Sequence, residues 1–197
     1  MMISTLTRLA GAGGLALMLT ACMDVSMTVD IQSEAEAEAT MVTAMKRDMY
    51  DLMMAQSTED EDDFCADGKL AEKPDVMECT VIESGPFAEL QFDSEDGESP
   101  SIEAIGGGQV RVSFPTGDLA ESLAEDTGAA EDVQIQAMIA SMFEGHAITM
   151  TVMGGPIVDT NMQIAADGMS ASFEIPFVDL FGSDLDLPAE LYAIVQK

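Results

Sequence analysis

The stretch LTACMDVSMTVDI, residues 19–31, joins an apolar N-terminal segment to a strictly alternating one. From Met23 to Ile31 every odd position is apolar and every even position is polar. Successive side chains of a β-strand point to opposite faces of the sheet, so this pattern predicts a half-buried strand. The strand begins directly after Cys22, and the start of the fold therefore lies next to whatever that cysteine carries.

The residues before the strand have the composition of a secretory signal. Arg8 is their only charged residue, and the apolar stretch from Leu9 to Leu19 is shorter than the roughly 18 to 20 residues of a membrane-spanning helix. Leu19-Thr20-Ala21-Cys22 resembles the lipobox of bacterial lipoproteins. That resemblance implies a signal peptide over residues 1–21, a diacylglyceryl group on the Cys22 thiol, and attachment to a membrane through the acyl chains.

The residue after Cys22 is Met23, whereas an aspartate at that place is linked with retention at the inner membrane in some bacteria. We therefore expect a lipid-anchored protein on the periplasmic face of the outer membrane. Residues 22–197 are predicted to form a single acidic domain, because a chain of 197 residues with 47% hydrophobic positions supports one sizeable core.

The charge balance removes one class of function. The chain has 37 Asp and Glu residues against 7 Lys and Arg residues, a formal net charge of −30. Such a surface repels nucleic-acid phosphates, so no nucleic-acid partner is expected. A basic envelope protein is the kind of partner that this charge would attract.

Residues 34–44, EAEAEATMVTA, fit two structures. They alternate like a strand, but their Ala, Glu and Met content favours a helix. We interpret them as the second strand of a hairpin, because Gln32-Ser33 lies where a short connection is needed. The following residues, 46–56, predict a short helix that buries Met49, Leu52 and Met53.

The rest of the chain predicts strands joined mainly by turns. The expected elements are a strand at 77–83, a helical turn at 87–90, a hairpin at 101–114 turning at Gly106 to Gly108, a helix at 131–143, strands at 147–152, 157–164 and 170–175, and a tail at 187–197 that is a strand or a helical turn. Repeated βα crossovers are missing from this order. The sequence therefore predicts an α+β fold, a mostly antiparallel sheet with about two helices packed on one face.

Two further cysteines, Cys65 and Cys79, are predicted to form a disulfide bond, because an exported chain meets an oxidising compartment. A closed loop of about 15 residues contributes about 3 kcal/mol in the chain-entropy estimate. A redox-active or metal site is the alternative, but the spacing fits no CxxC pattern.

No set of residues matches a known catalytic arrangement, so we expect no enzyme, no cofactor and no dedicated metal site. His146 is the only histidine and lacks a nucleophile motif, which favours a structural role. The acidic runs at residues 60–63 and 93–99 suit calcium but do not match the twelve-residue calcium-binding loop.

Methionines supply the remaining candidate chemistry. Met41, Met45, Met49 and Met53 stand at spacing four, and on a continuous helix their thioethers would line one face and suit Cu(I). The hairpin interpretation divides this stripe between two elements. Flexible filling of a core, or a pocket for acyl chains, is the other use of such residues.

The order of lipobox, alternating strand, hairpin, short helix and a late β-rich block at residues 148–180 resembles the LppM-type bacterial lipoprotein domain. Gly155-Pro156 stands in reversed order to that family's Pro-Gly, and Phe173 occupies a place where tryptophan is usual. The resemblance implies an envelope protein that binds lipids. The predicted function is therefore a non-enzymatic lipoprotein binding a lipid or another apolar ligand; a structural lipoprotein with a basic protein partner is the alternative, and a copper or calcium carrier ranks lower.

Overall fold

Strands dominate the part of the chain that the computed structural model describes, residues 23–56, 64–90, 100–117, 143–180 and 187–197. The strands are β1 (Met23–Ile31), β2 (Glu36–Lys46), β3 (Lys69–Glu72), β4 (Val76–Pro86), β5 (Ser101–Gly106), β6 (Gln109–Pro115), β7 (Ala147–Met153), β8 (Ile157–Thr160), β9 (Gln163–Ile164), β10 (Ser170–Pro176) and β11 (Glu190–Gln196). The helices are α1 (Arg47–Gln56) and the single turn α2 (Phe177–Leu180), with a 3₁₀ turn at Phe87–Glu89.

The strands form two sheets. The larger has seven strands in the order β3-β4-β2-β1-β7-β10-β9, and the smaller has four in the order β5-β6-β11-β8. β1 and β7 run parallel, while the other described pairs are antiparallel. The central strand β1 is therefore flanked by its own hairpin partner, β2, and by a strand from the far end of the chain.

The core draws side chains from both sheets. The seven-stranded sheet contributes Val29, Ile31, Val152, Ala171 and Ile175, all at most 1% exposed. The four-stranded sheet contributes Val110, Val112, Phe114, Leu191, Ala193 and Val195, also at most 1% exposed. Two sheets that bury their apolar faces against each other make a β-sandwich.

The predicted α+β arrangement, with helices packed on one face of a sheet, is wrong. A second sheet covers the apolar face of the large sheet. Alternate apolar residues of β6 and β11 are buried in the same core as the apolar residues of the large sheet. Within the described residues α1 is the one helix longer than a single turn, and it contacts β2 and β4. The helix predicted at 131–143 lies outside the described residues, except for Phe143.

Most of the predicted strands are confirmed. Residues 34–44 lie largely in β2, which pairs antiparallel with β1, and residues 46–56 lie largely in α1. The predicted burial of Leu52 is wrong, because Leu52 is 47% exposed, and Met49 and Met53 are half-buried. The tail is a strand, β11. The strand predicted over 157–164 is divided instead, since β8 belongs to the small sheet and β9 to the large one.

The chain passes from the large sheet to the small one at Gly154 and Gly155, between β7 and β8. Gly154 has φ +112°, and a Cβ on it would lie 2.3 Å from the carbonyl oxygen of Ile31. The Nζ of Lys197 donates to the carbonyl oxygens of Ile31, at 2.7 Å, and Gly154, at 2.5 Å. This crossover therefore joins the ends of β1, β7 and β11.

None of the helices in the described residues is both long and apolar enough to cross a membrane.

Candidate functional site

An apolar row crosses five strands of the large sheet on the face that carries the core. Val81 of β4 is in register with Met41 of β2, and Met41 with Met27 of β1. Met27 is in turn in register with Met150 of β7, and Met150 with Phe173 of β10. Residues in register on neighbouring strands point to the same face, so these five side chains, here called the apolar row, lie side by side.

Burial changes sharply at this row. The next row contains Ala39, Val29, Val152 and Ala171, which are 7% exposed or less, and it ends at the exposed Glu83 of β4. In the apolar row, Met41 is 44% exposed and the other four residues are half-buried. The row on the other side contains Cys79 and Ile175, which are 5% and 1% exposed, so the face opens to solvent at Met41 between buried positions.

The composition of the row suits a flexible apolar ligand. Methionine has an unbranched side chain with three rotatable bonds and a polarizable sulfur, and it adapts to irregular shapes. Met27, Met150 and Phe173 also pack against the core, which holds their strands rigidly in place. The row contains no group that could act as a nucleophile, acid or base.

A recess of about 520 Å³ is lined by Thr149, Asn161, Met162, Gln163, Ser172, Phe173 and Glu174. Its lining has one carboxylate and lacks histidine, cysteine and lysine. Such a set offers hydrogen-bond donors and acceptors to a polar molecule.

The predicted disulfide is present. Cys65 is bonded to Cys79, with their Cα atoms 5.4 Å apart. Cys79 lies in β4, in register with Thr43 of β2, so the bond lies on the core face of the large sheet, one row from the apolar row. A Cβ on Gly68 would lie 2.7 Å from the Cys79 Sγ, and the chain passes this closely because residue 68 has no side chain.

Helix α1 is tied to the same end of the sheet. The Arg47 guanidinium donates to the Lys73 carbonyl oxygen through Nη2 at 2.8 Å and Nε at 3.2 Å, and the Tyr50 ring meets the Phe64 ring edge-on. α1 begins directly after β2, and Met45 of β2 is in register with Met23. Helix, disulfide and the start of β1 therefore lie at one end of the molecule.

His146 is a buried link between β7 and β1. Its Nδ1 lies 3.3 Å from the Asp24 Oδ2, an ion-pair distance without hydrogen-bond geometry. The Asp24 Oδ1 accepts a hydrogen bond from the Ala147 N–H at 3.1 Å. In the described part of the chain, Asp24 is the side chain that lies within ion-pair distance of the imidazole.

A polar cluster lies on the small sheet. The Arg111 guanidinium stacks 4.0 Å from the centroid of the Tyr192 ring and donates to Glu190 at 3.0 Å. Hydrogen bonds from Ser113 and Arg111 lower the pKa of the Glu190 carboxyl. Desolvation and the neighbouring Asp159 carboxylate raise the pKa of Tyr192. Because each charged group here already has a partner, the cluster is satisfied without a ligand.

Several predicted sites fall outside the described residues, namely Cys22 and the acidic runs at 60–63 and 93–99. The stripe of four methionines is divided as expected, with Met41 and Met45 on β2 and Met49 and Met53 on α1. Within the described residues no group of three His, Cys, Asp or Glu side chains could hold a metal ion.

Met27 and Met150 were not predicted to share a site. Each was visible as an apolar position of an alternating strand, but no local pattern indicated that β1 and β7 pair.

No family model matches the chain, and no curated protein matches it. Among solved structures, it is similar to the NMR structure of the folded domain of LppM from Mycobacterium tuberculosis. The two sequences are 12% identical, and the alignment covers 89% of this chain and 90% of that chain with a TM-score of 0.49. The lipobox predicted at residues 19–22 lies outside the described residues.

Proposed function

We propose that this protein is an envelope lipoprotein, anchored through acyl chains on Cys22, that binds an apolar ligand such as a lipid acyl chain at the apolar row without catalysing a reaction. The observation that carries the proposal is the exposure of Met41, 44%, between Ala39 at 7% and Met45 at 2% on the same face of β2. Apolar surface of this kind, left accessible beside a closed core, is typical of binding sites.

The position of the anchor supports the same function. Cys22 directly precedes Met23, the first residue of β1, and Met27 of the apolar row lies four positions further along that strand. A strand rises about 3.3 Å per residue, so about 13 Å separates Met23 from Met27 along β1. An acylated Cys22 would keep the site close to the membrane on the periplasmic side of the outer membrane.

Ligand binding is tested with the full chain carrying Cys22→Ser and a fluorescent fatty acid as the probe. Met41→Glu is expected to weaken binding at least tenfold, because a carboxylate against an acyl chain costs more than about 1.4 kcal/mol. Met153→Glu is the matched control: Met153 is 39% exposed, lies on β7, and is an odd number of positions from Met150, on the opposite face. No binding by the parent chain, or equal losses in both variants, would contradict the proposal.

The anchor has its own test, the intact mass of the protein purified in detergent from its native host. We expect the mass of residues 22–197 plus acyl chains minus two hydrogens for the Cys65–Cys79 bond. The Cys22→Ser variant should carry no acyl chains. An unlipidated mass for the parent protein would remove the membrane anchor while leaving the apolar row to be judged by the fatty-acid titration.

The net charge of −30 favours a second candidate function, a structural lipoprotein that binds a basic envelope protein. Crosslinking in cells should then recover one protein reproducibly, and the complex should weaken as salt is raised. Recovery of no reproducible partner would leave the apolar ligand as the better-supported function.

A further inference from the structure

The centre of the apolar row holds three thioethers on three neighbouring strands. Met41 of β2 and Met150 of β7 flank Met27 of β1, each in register with it. We call these three residues the methionine triad. They come from positions far apart in the chain, and only the pairing of β1 with β7 brings the third beside the other two.

The spacing of the triad allows the three sulfurs to converge. Neighbouring strands are about 4.8 Å apart, and a methionine side chain has three rotatable bonds. The sulfurs of Met41 and Met150 can therefore turn toward the sulfur of Met27 without any movement of the backbone. Three thioethers make a soft ligand set, which selects Cu(I) over hard cations that prefer oxygen.

A second row of methionines provides a comparison within the same sheet. Met77, Met45 and Met23 are also in register on β4, β2 and β1. Met77 is 1% exposed and Met45 is 2% exposed, so this row is packed as core. The triad differs because Met41 is 44% exposed, so part of this residue is open to solvent.

Charge also suits a soft monovalent cation. The chain carries a net charge of −30, which raises the local concentration of cations. The neighbours of the triad in the row, Val81 and Phe173, are uncharged and offer no oxygen ligands from their side chains. We propose that the methionine triad binds one Cu(I) ion through the three thioether sulfurs.

The test is a Cu(I) titration of the full chain carrying Cys22→Ser, in competition with a chromophoric Cu(I) chelator, with ascorbate as reductant and oxygen excluded. Cys22→Ser removes one thiol, and a thiol assay first establishes that Cys65 and Cys79 remain bonded, since free thiolates would bind Cu(I) themselves. We expect uptake of one equivalent. The variant Met27→Leu/Met41→Leu/Met150→Leu should bind at least tenfold more weakly.

Met153→Leu/Met169→Leu is the matched control, because these two methionines are 39% and 45% exposed and lie outside the row. It should retain the parent affinity. No uptake by the parent chain, or equal affinities in the parent, triad and control variants, would overturn the proposal. If circular dichroism finds the triple variant unfolded, the single variant Met41→Leu replaces it in the titration. Met41 is the most exposed member of the triad, so this substitution should still lower the affinity for Cu(I).

The proposed Cu(I) site uses three residues of the row proposed to bind the apolar ligand, but different probes test the two proposals. The fatty acid and Cu(I) are titrated separately into the parent chain, so each proposal has its own readout. Met41→Glu should impair fatty-acid binding. A chain that binds the fatty acid but takes up no Cu(I) would refute this inference and leave the proposed function intact.

Discussion

Gly154 illustrates how one residue controls the path of the chain between the two sheets. Its φ of +112° is a conformation that side chains rarely adopt, and a Cβ there would meet the Ile31 carbonyl oxygen at 2.3 Å. The same carbonyl oxygen accepts a hydrogen bond from the Lys197 Nζ, so it has little freedom to move aside. Both the backbone conformation and the space around it require glycine.

We therefore predict that Gly154→Ala lowers the free energy of unfolding by about 3 kcal/mol, the upper end of the usual range for point substitutions. Gly107→Ala is the control. Gly107 also has a positive φ, +68°, but a Cβ on it would meet no heavy atom within 4 Å. Gly107→Ala should therefore lower the free energy of unfolding only through the unfavourable backbone conformation, by about 1 kcal/mol. Urea unfolding midpoints at an unchanged m-value measure the difference. Equal losses would mean that the close approach to Ile31 is easily relieved.

At the scale of elements, the disulfide holds a short segment against the large sheet. Residues between Cys65 and Cys79 include β3, which pairs with β4 over four residues only. A strand this short at a sheet edge has few interactions of its own. The bond therefore supplies much of the order of this segment.

Removing both sulfurs in the variant Cys65→Ala/Cys79→Ala should lower the free energy of unfolding by about 3 kcal/mol, the chain-entropy value for a loop of about 15 residues. Unfolding in urea with and without a thiol reductant measures this loss. Reductant should destabilise the parent protein by a similar amount and leave the variant unchanged. A parent protein indifferent to reductant would show that the bond adds no stability.

The elements also mark the limit of prediction from sequence. Period-two alternation correctly predicted which faces of β1, β2 and β6 are buried, because the sequence of each strand alternates apolar and polar residues. Alternation does not encode which strands become neighbours, so the pairing of Val25 with Ile148 and the existence of a second sheet were missed. The sequence indicates that the methionines fill a core or line an apolar pocket, but the five members of the apolar row depend on that pairing.

At the scale of the whole molecule, the net charge of −30 opposes folding, because a compact chain brings like charges together. The described structure has few ion pairs to offset this repulsion, such as Lys73 with Glu78 at 2.6 Å and Arg111 with Glu190 at 3.0 Å. Both pairs are partly exposed, and pairs of that kind contribute little. Screening by salt should therefore matter more for this protein than any single pair.

We predict that raising NaCl from about 0.01 M to about 1 M, which shortens the screening length from about 30 Å to about 3 Å, increases the unfolding temperature by about 5 °C. Calorimetry at pH 7 measures the rise. Salt also strengthens apolar burial, so the same comparison is made near pH 4.1, the isoelectric point of the sequence, where the net charge vanishes. The increase in unfolding temperature should be smaller near pH 4.1 if charge repulsion is its cause. An equal increase at both pH values would assign it to stronger apolar burial instead.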